Sequence, residues 1–238
     1  MSVRCKPRAR LEDLWTDVDG VMIYARARRP PTLAYLPVIL VHGLVVASPA
    51  MLPTAKCLAT RFQVYVPDLP GFGRSAKPSY ALNVAQLADV LAAWMRKVGT
   101  GPAALLGNSF SCQILVDFAV HHPDLVERLI LVGPTLAPIE RNVFNLITRT
   151  ALTSVHGPLS LLWLTARSWL NVGLWRGLQT IRLMLNDQIL PKLPEVRIPT
   201  LVVRGTNDYI APQNWAEKVV DSLPRGCLAV LPGAAHAL

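Results

Sequence analysis

The sequence predicts an α/β protein with a mainly parallel sheet, helices on both faces and a helical cap inserted between two strands. First, short apolar runs that end in polar or glycine residues alternate with helical patterns. Second, 52% of the 238 residues are hydrophobic, which is enough for one large core. Third, one long segment, from about residue 137 to 192, interrupts the alternation and has no strand pattern.

The elements follow in chain order. Residues 12–28 alternate around Asp19-Gly20, which predicts an antiparallel hairpin at the sheet edge. Six apolar runs then predict buried strands of a parallel sheet. They are PVILVHG, FQVYVPDL, AALLGNS, RLILVGP, TLVVRG and CLAVLPG. Between the second and third runs, five apolar residues recur at helical spacing and predict a crossover helix. They are Val84, Leu87, Leu91, Trp94 and Val98.

The segment without strands lies between two predicted strands, so we expect it to sit above the carboxyl edge of the sheet, where open α/β sheets bind ligands. We therefore divide the chain into a core of residues 1–136 and 193–238 and a cap of residues 137–192. The cap carries three of the six tryptophans, Trp163, Trp169 and Trp175. Each can either pack one helix on another or contact a substrate.

Charge and composition exclude several classes of function. The net charge of +9 is concentrated in residues 1–10, with four basic residues and no acidic one, and in residues 138–192, with six against two. Neither zinc-finger spacing nor an RNA-binding aromatic strand accompanies it, so we expect no nucleic-acid partner. Attraction to acidic surfaces stays open. Prolines and a glycine interrupt the charge-free run of residues 32–55, so we expect no integral membrane span.

The N-terminus has no apolar stretch typical of a secretory signal, so we expect a cytoplasmic protein. The four cysteines are scattered without a C-x-x-C pair. This spacing argues against a zinc site and against a disulfide framework, and we expect reduced thiols. We expect no cofactor and no metal ion, and the sequence leaves the oligomeric state open.

The stretch LLGNSFSCQI, residues 105–114, places Ser109 where a strand gives way to a helix. A serine on such a tight turn is a candidate nucleophile, and small flanking residues let strand and helix approach each other. Gly107 is one such residue. The second is Ser111, where glycine is usual, and we expect slight crowding without loss of the turn.

A serine hydroxyl needs a base, and the base needs a group that fixes its tautomer. Asp208 follows the predicted strand TLVVRG, and His236 follows CLAVLPG, so all three residues lie at one edge of the sheet. Taken singly, Asp208 could cap a helix and His236 could belong to a frayed tail. Together, in the order Ser109, Asp208, His236, they predict a catalytic triad.

These residues, together with VHGL after an early strand and DLPGFGRS after the next, resemble the α/β-hydrolase superfamily over nearly the whole chain. The resemblance implies the α/β-hydrolase fold and an oxyanion hole formed by the backbone amides of Leu44 and Phe110. It also makes His42 a residue that stabilises a turn. Members usually continue with a helix after the histidine, whereas this chain ends two residues after His236. We therefore expect weak activity with a mobile His236, or a shortened form of a longer protein.

The function expected is hydrolysis of a small carboxylic ester with an apolar acyl or alcohol group, through an acyl-enzyme. Two alternatives stay open. The sequence GNSF also resembles the elbow of hydrolases that cleave carbon–carbon bonds in ring-fission products, although HGLVVAS lacks the extra glycines of that subgroup. The second alternative is a non-catalytic protein that keeps the fold but only binds ligands.

Three other possibilities for the chemistry, one motif, one residue and one mechanism, are weaker. GFGRSA, residues 71–76, satisfies a dinucleotide-binding pattern, but Pro78 follows where a helix should begin. Cys112 could be a thiol nucleophile, although a buried cysteine on a helix is the simpler interpretation. An aspartate-nucleophile mechanism is disfavoured because position 109 is serine.

Overall fold

A computed structural model describes residues 9–30, 35–135, 143–154 and 159–236. The basic tail of residues 1–8, the start of the predicted cap and the last two residues therefore lie outside the described part. The side chain of Trp163 lies outside it as well.

Eight strands form one sheet in the order β1-β2-β4-β3-β5-β6-β7-β8. They are β1 (Glu12–Val18), β2 (Val21–Arg28), β3 (Val38–Val41), β4 (Val64–Pro67), β5 (Ala103–Asn108), β6 (Val126–Val132), β7 (Thr200–Gly205) and β8 (Gly226–Leu231). The pairs β1–β2 and β2–β4 are antiparallel, and all other pairs are parallel. The predicted hairpin around Asp19-Gly20 and the six predicted strands are confirmed, but the expectation of burial is wrong for β8, whose residues are all half-buried or exposed.

Seven α-helices are described along with the sheet. They are α1 (Leu52–Leu58), α2 (Val84–Val98), α3 (Ser111–His121), α4 (Val143–Ser154), α5 (Leu159–Val172), α6 (Leu174–Asn186) and α7 (Gln213–Asp221). The predicted crossover helix is α2, which begins with a capping box between Asn83 and Gln86 and ends at Gly99 in the left-handed conformation, with φ of 73°.

Both faces of the sheet are buried at its central strands, as the continuous apolar runs predict, whereas the edge strands β1 and β8 are largely half-buried or exposed. Strand β3 shows the arrangement: Ile39 and Val41 belong to one buried cluster, with residues of α2 and α3, and Val38 and Leu40 belong to another, with residues of α1. Because β3 to β8 run parallel, their carboxyl ends lie at one common edge, above which the site is built.

Helices α4, α5 and α6 lie between β6 and β7, in the segment predicted to be a cap. The ring of Trp169 packs so closely on α6 that a Cβ at Gly177 would lie 2.3 Å from it. Trp175, the second residue of α6, is 74% exposed. The boundaries drawn between core and cap stay a prediction.

Two contacts join the end of this helical segment to α3. The side-chain amide of Gln113 donates to the carbonyl of Met184 at 3.1 Å. The ammonium of Lys192 donates to the buried carboxylate of Asp117 at 2.6 Å and to Asp187 at 2.7 Å. Burial alone would lower the pKa of Lys192, but these two hydrogen bonds outweigh it and raise that pKa.

The cysteines depart in part from expectation. Cys112 is a buried free thiol and Cys227 an exposed one, as separate reduced residues would be. Cys57 is disulfide-bonded, so the expectation of reduced thiols is wrong at this position. Spacing along a chain could not show this, because a disulfide depends on which residues the fold brings together. Among the described residues, no helix is both long and apolar enough to cross a membrane.

Candidate active site

Ser109 occupies a strained turn between β5 and α3. Its φ is 60°, in the left-handed region that a residue with a side chain rarely adopts. Its amide donates to the carbonyl of Val132 on β6 at 2.9 Å, and its carbonyl accepts from the amide of Cys112 at 2.9 Å. Strain of this kind persists only where the surroundings over-determine it, and it is concentrated at functional sites.

Ser111, the residue that departs from the usual glycine, is fully buried on the first turn of α3. Its hydroxyl oxygen accepts from the amide of Asn108 at 2.7 Å and donates to the carbonyl of Val41 at 2.8 Å. The site is tight, since a Cβ at Gly107 would lie 3.0 Å from that oxygen. The turn predicted around Ser109 is therefore present with a serine at position 111.

Asp208 lies in the loop after β7 and is 2% exposed. One carboxylate oxygen accepts from the amides of Ile210 and Ala211, at 3.0 and 2.9 Å. The buried guanidinium of Arg204 donates to the carbonyls of Ala211, at 3.0 Å, and Asp208, at 3.2 Å. These bonds fix the loop and leave the second carboxylate oxygen directed at a different partner.

That partner is His236, whose Nδ1 lies 2.8 Å from Oδ2 of Asp208. The carbonyl of His236 accepts from the side-chain amide of Asn108 at 3.0 Å, and the carbonyl of Ala234 accepts from the amide of Asn207 at 2.9 Å. The histidine segment is therefore bonded both to the β7 loop and to the residue before Ser109. Weak activity through a mobile His236 stays a prediction, and these bonds oppose it.

The structure thus brings the Asp208–His236 pair to the turn that carries Ser109. It does not form the remaining triad contact: within the described residues, the buried Nε2 of His236 has no hydrogen-bond partner. Hydrogen bonds between a nucleophile and its base are often long before substrate binds, so this geometry is compatible with a triad.

The two amides predicted to form the oxyanion hole, those of Leu44 and Phe110, have no hydrogen-bond acceptor among the described residues. Their segments lie side by side, because a Cβ at Gly43 would lie 3.3 Å from the Cβ of Ser109. Val45, the next residue after Leu44, is buried with φ of 52°. A β-branched residue is strained in this conformation, and such strain persists only where the surrounding structure holds the backbone in place, here directly after Leu44.

His42 holds the turn beneath this segment, in the role that the resemblance implies. Its Nε2 accepts from the amide of Leu69 at 3.0 Å, and its Nδ1 lies 3.0 Å from the carbonyl of Gly43. Burial lowers the pKa of His42, while the nearby carboxylate of Asp68 acts in the opposite direction. Because Nε2 accepts a hydrogen bond, that nitrogen carries no proton, and both ring nitrogens are occupied, so His42 is not the base of this site.

The motif DLPGFGRS is a turn organised by Asp68. The carboxylate of Asp68 accepts from the amides of Ser48, at 2.6 Å, and Arg74, at 2.8 Å. A Cβ at Gly73 would lie 2.1 Å from this carboxylate, which explains the second glycine. Helix α2 begins only at Val84, so the strand–glycine loop–helix context of a dinucleotide site is absent from this described stretch.

Cys112 is placed unfavourably for a nucleophile. Its sulfur lies 3.5 Å from the carbonyls of Gly107 and Val132, and burial raises the pKa of the thiol. A thiol that stays protonated is a poor nucleophile, so the interpretation as a core residue holds.

Four residues of the site were not predicted from the sequence. Asn108 and Arg204 could have been suspected as polar residues at the ends of apolar strands. Gly133 has φ of 55°, and a Cβ there would lie 2.8 Å from Nδ1 of His236 and 2.9 Å from Oδ2 of Asp208. Neither the close approach of Gly133 to this pair nor the strain at Val45 could be predicted from a single sequence.

The chain matches the alpha/beta hydrolase family over residues 38–238. Abhydrolase domain-containing protein abhd-5.2 of Caenorhabditis elegans is 28% identical over 123 residues, which are 50% of this chain and only 28% of that protein. The pimeloyl-(acyl-carrier protein) methyl ester esterase of Nitrosomonas europaea is 24% identical over 228 residues, which cover 84% of this chain and 88% of the esterase.

The fold is also that of E-2-(acetamidomethylene)succinate hydrolase, with a TM-score of 0.79, 21% identity and coverage of 95% of this chain and 92% of that one. The family match covers most of the chain and includes the elbow, the acid and the histidine. The protein belongs to the alpha/beta hydrolase family.

Proposed function

We propose that the protein is a cofactor-independent serine hydrolase that cleaves small carboxylic esters through an acyl-enzyme. The observation that carries the proposal is the 2.8 Å contact between His236 Nδ1 and the buried carboxylate of Asp208. It fixes the ring so that Nε2, which lacks a partner in the described structure, is the nitrogen able to accept a proton.

In this mechanism, Oγ of Ser109 attacks the ester carbonyl while its proton passes to Nε2 of His236. The amides of Leu44 and Phe110 stabilise the resulting oxyanion, an interaction that grows as charge develops on the oxygen. The C–O bond to the alcohol then breaks, and His236 returns the proton to the departing alkoxide. Water repeats the sequence on the acyl-enzyme and releases the acid and Ser109. Asp208 keeps its charge and stabilises the imidazolium.

An apolar substrate is supported by the segments that carry the oxyanion amides. Residues 43–47 and 109–112 contain no charged side chain. An apolar wall disfavours a charged acyl or alcohol group and strengthens the electrostatic interactions at the oxyanion. The esterase relative from Nitrosomonas europaea is consistent with ester chemistry, at an identity too low to transfer its substrate.

The sequence GNSF favours one second candidate, hydrolysis of a carbon–carbon bond in a ring-fission product. There the same His236 and oxyanion amides would act on a ketone, and a carbanion would leave in place of an alkoxide. A non-catalytic binding protein is the alternative of another class. A test of Ser109 reactivity separates it from both hydrolases.

A fluorophosphonate probe reacts rapidly only with an activated serine. We expect labelling at Ser109, located by peptide mass spectrometry, and hydrolysis of short p-nitrophenyl esters. Ser109→Ala should abolish both with an unchanged melting temperature, whereas Ser222→Ala, at the end of α7, should alter neither. An unlabelled wild-type protein would favour the binding protein. Labelling with turnover of vinylogous diketones, and none of esters, would favour the carbon–carbon hydrolase.

A further inference from the structure

Ser111 lies where the two strands next to the proposed reaction centre end. The last paired residues of β3 and β5 are Val41 and Gly107. Beyond them, β3 leads to the oxyanion segment with Leu44, and β5 leads to the turn with Ser109 and Phe110. The separation of the two oxyanion amides therefore depends on how the strands are held at this end.

The hydroxyl of Ser111 contacts the backbone groups at which the ladder stops. The amide of Ala104 donates to the carbonyl of Pro37 at 2.8 Å. In a parallel ladder, such donor–acceptor positions recur every two residues along the register, so this series ends at the amide of Asn108 and the carbonyl of Val41. The Ser111 oxygen lies 2.7 Å from that amide and 2.8 Å from that carbonyl, and the carbonyl of Asn108 is a second acceptor for its proton, at 2.9 Å.

We propose that Ser111 is a positioning residue, whose hydroxyl links β3 to β5 and thereby sets the spacing of the amides of Leu44 and Phe110. The inference rests on the proposed serine hydrolase function. Ser111 touches neither the nucleophile's hydroxyl nor the His236 ring among its described hydrogen bonds, so it acts through the backbone. Its carbonyl partner, Val41, is three residues before Leu44.

This role predicts an unusual order of damage among the variants at position 111. In Ser111→Ala, a methyl group stays at the place of the hydroxyl and can bond to neither the amide of Asn108 nor the carbonyl of Val41, so each of these backbone groups loses its hydrogen bond to the side chain. In Ser111→Gly the methyl group is gone, and a water molecule can take the place of the hydroxyl or the two groups can approach. Alanine should therefore be more damaging than glycine, opposite to their order of helix propensity.

Ser75 provides a matched control. It is also buried, and its hydroxyl also joins two backbone groups, accepting from the amide of Tyr24 at 2.8 Å and donating to the carbonyl of Asp68 at 2.6 Å. Ser75→Ala removes the same chemical group at another strand pair, β2 and β4. It should lower the melting temperature about as much as Ser111→Ala while kcat stays within about twofold of wild type.

The test is steady-state hydrolysis of a p-nitrophenyl ester, with melting temperatures measured in parallel. Ser111→Ala should lower kcat about 10- to 100-fold with KM within about twofold, because oxyanion donors act chiefly in the transition state. Ser111→Gly should stay within about threefold of wild type. Unchanged kcat in Ser111→Ala, equal losses in both variants, or an equal loss in Ser75→Ala would each overturn the proposal.

Ser111→Cys keeps the test decisive if the alanine variant does not fold. A thiol is larger than a hydroxyl and is a weak donor and acceptor, so kcat should fall at least about fivefold in a folded protein. Wild-type kcat in this variant would overturn the inference. Failure of the proposed function is recognised separately, since wild-type Ser109 would then not react with fluorophosphonate.

Discussion

Replacing Gly133 by alanine should separate the positioning of the base from the stability of the fold. The added Cβ would lie 2.8 Å from Nδ1 of His236 and 2.9 Å from Oδ2 of Asp208, whereas ordinary van der Waals contact begins at 3.4 Å. The pair must therefore move by roughly half an ångström or more, and a displacement of about 1 Å in a catalytic group costs on the order of 100-fold in rate. We expect kcat on a p-nitrophenyl ester to fall about 10- to 100-fold.

The same change also forces a side chain into a left-handed backbone, which costs about 1–2 kcal/mol. Gly99→Ala isolates this cost, because Gly99 has φ of 73° and a Cβ there would meet nothing within 4 Å. Both variants should lose similar stability in urea unfolding, and only Gly133→Ala should lose turnover. Wild-type kcat in Gly133→Ala would refute the assignment of His236 as the base.

Three further outcomes are expected. Burial holds the pKa of His42 below its ordinary value of 6.5, so the unfolded chain binds a proton that the folded chain does not. The melting temperature should therefore fall as pH drops below about 6.5, less steeply in His42→Asn. Lys192→Met should lower the free energy of unfolding by about 2 kcal/mol in urea titration, because the buried carboxylate of Asp117 loses its ammonium partner and keeps the longer contact, 3.4 Å, with Nδ1 of His121; adding Asp117→Asn should restore part of it. Iodoacetamide should modify Cys227 and spare Cys112 in the folded protein, as peptide mass mapping would show.

The regular elements were predictable because they depend on local pattern. Continuous apolar runs are typical of the strands of a covered parallel sheet, so β3 to β8 could be predicted from these runs and from the polar or glycine residues that end them. The five apolar residues at helical spacing likewise span α2 from its first residue, Val84, to its last, Val98. Asp208 and His236 could be predicted as partners of Ser109 because the carboxyl ends of parallel strands lie at one edge of the sheet.

The remaining features depend on contacts between distant parts of the chain. The role of Gly133 exists only because a histidine 103 residues later packs against it, and no local pattern encodes that approach. From the sequence, Ser111 was expected only to crowd the turn slightly. Its hydrogen bond to Val41 became visible only once the register of β3 and β5 was known.

The contacts of Gln113 and Lys192 bear on any attempt to change substrate range by exchanging the helices between β6 and β7. A graft that replaced the chain through residue 192 would strip the Asp117 carboxylate of its ammonium partner and the Gln113 amide of its acceptor, Met184. Both losses fall on α3, whose first turn follows Ser109. A chimera whose downstream junction lies before Met184 would keep these bonds, so new helices could be introduced without disturbing the turn that carries Ser109.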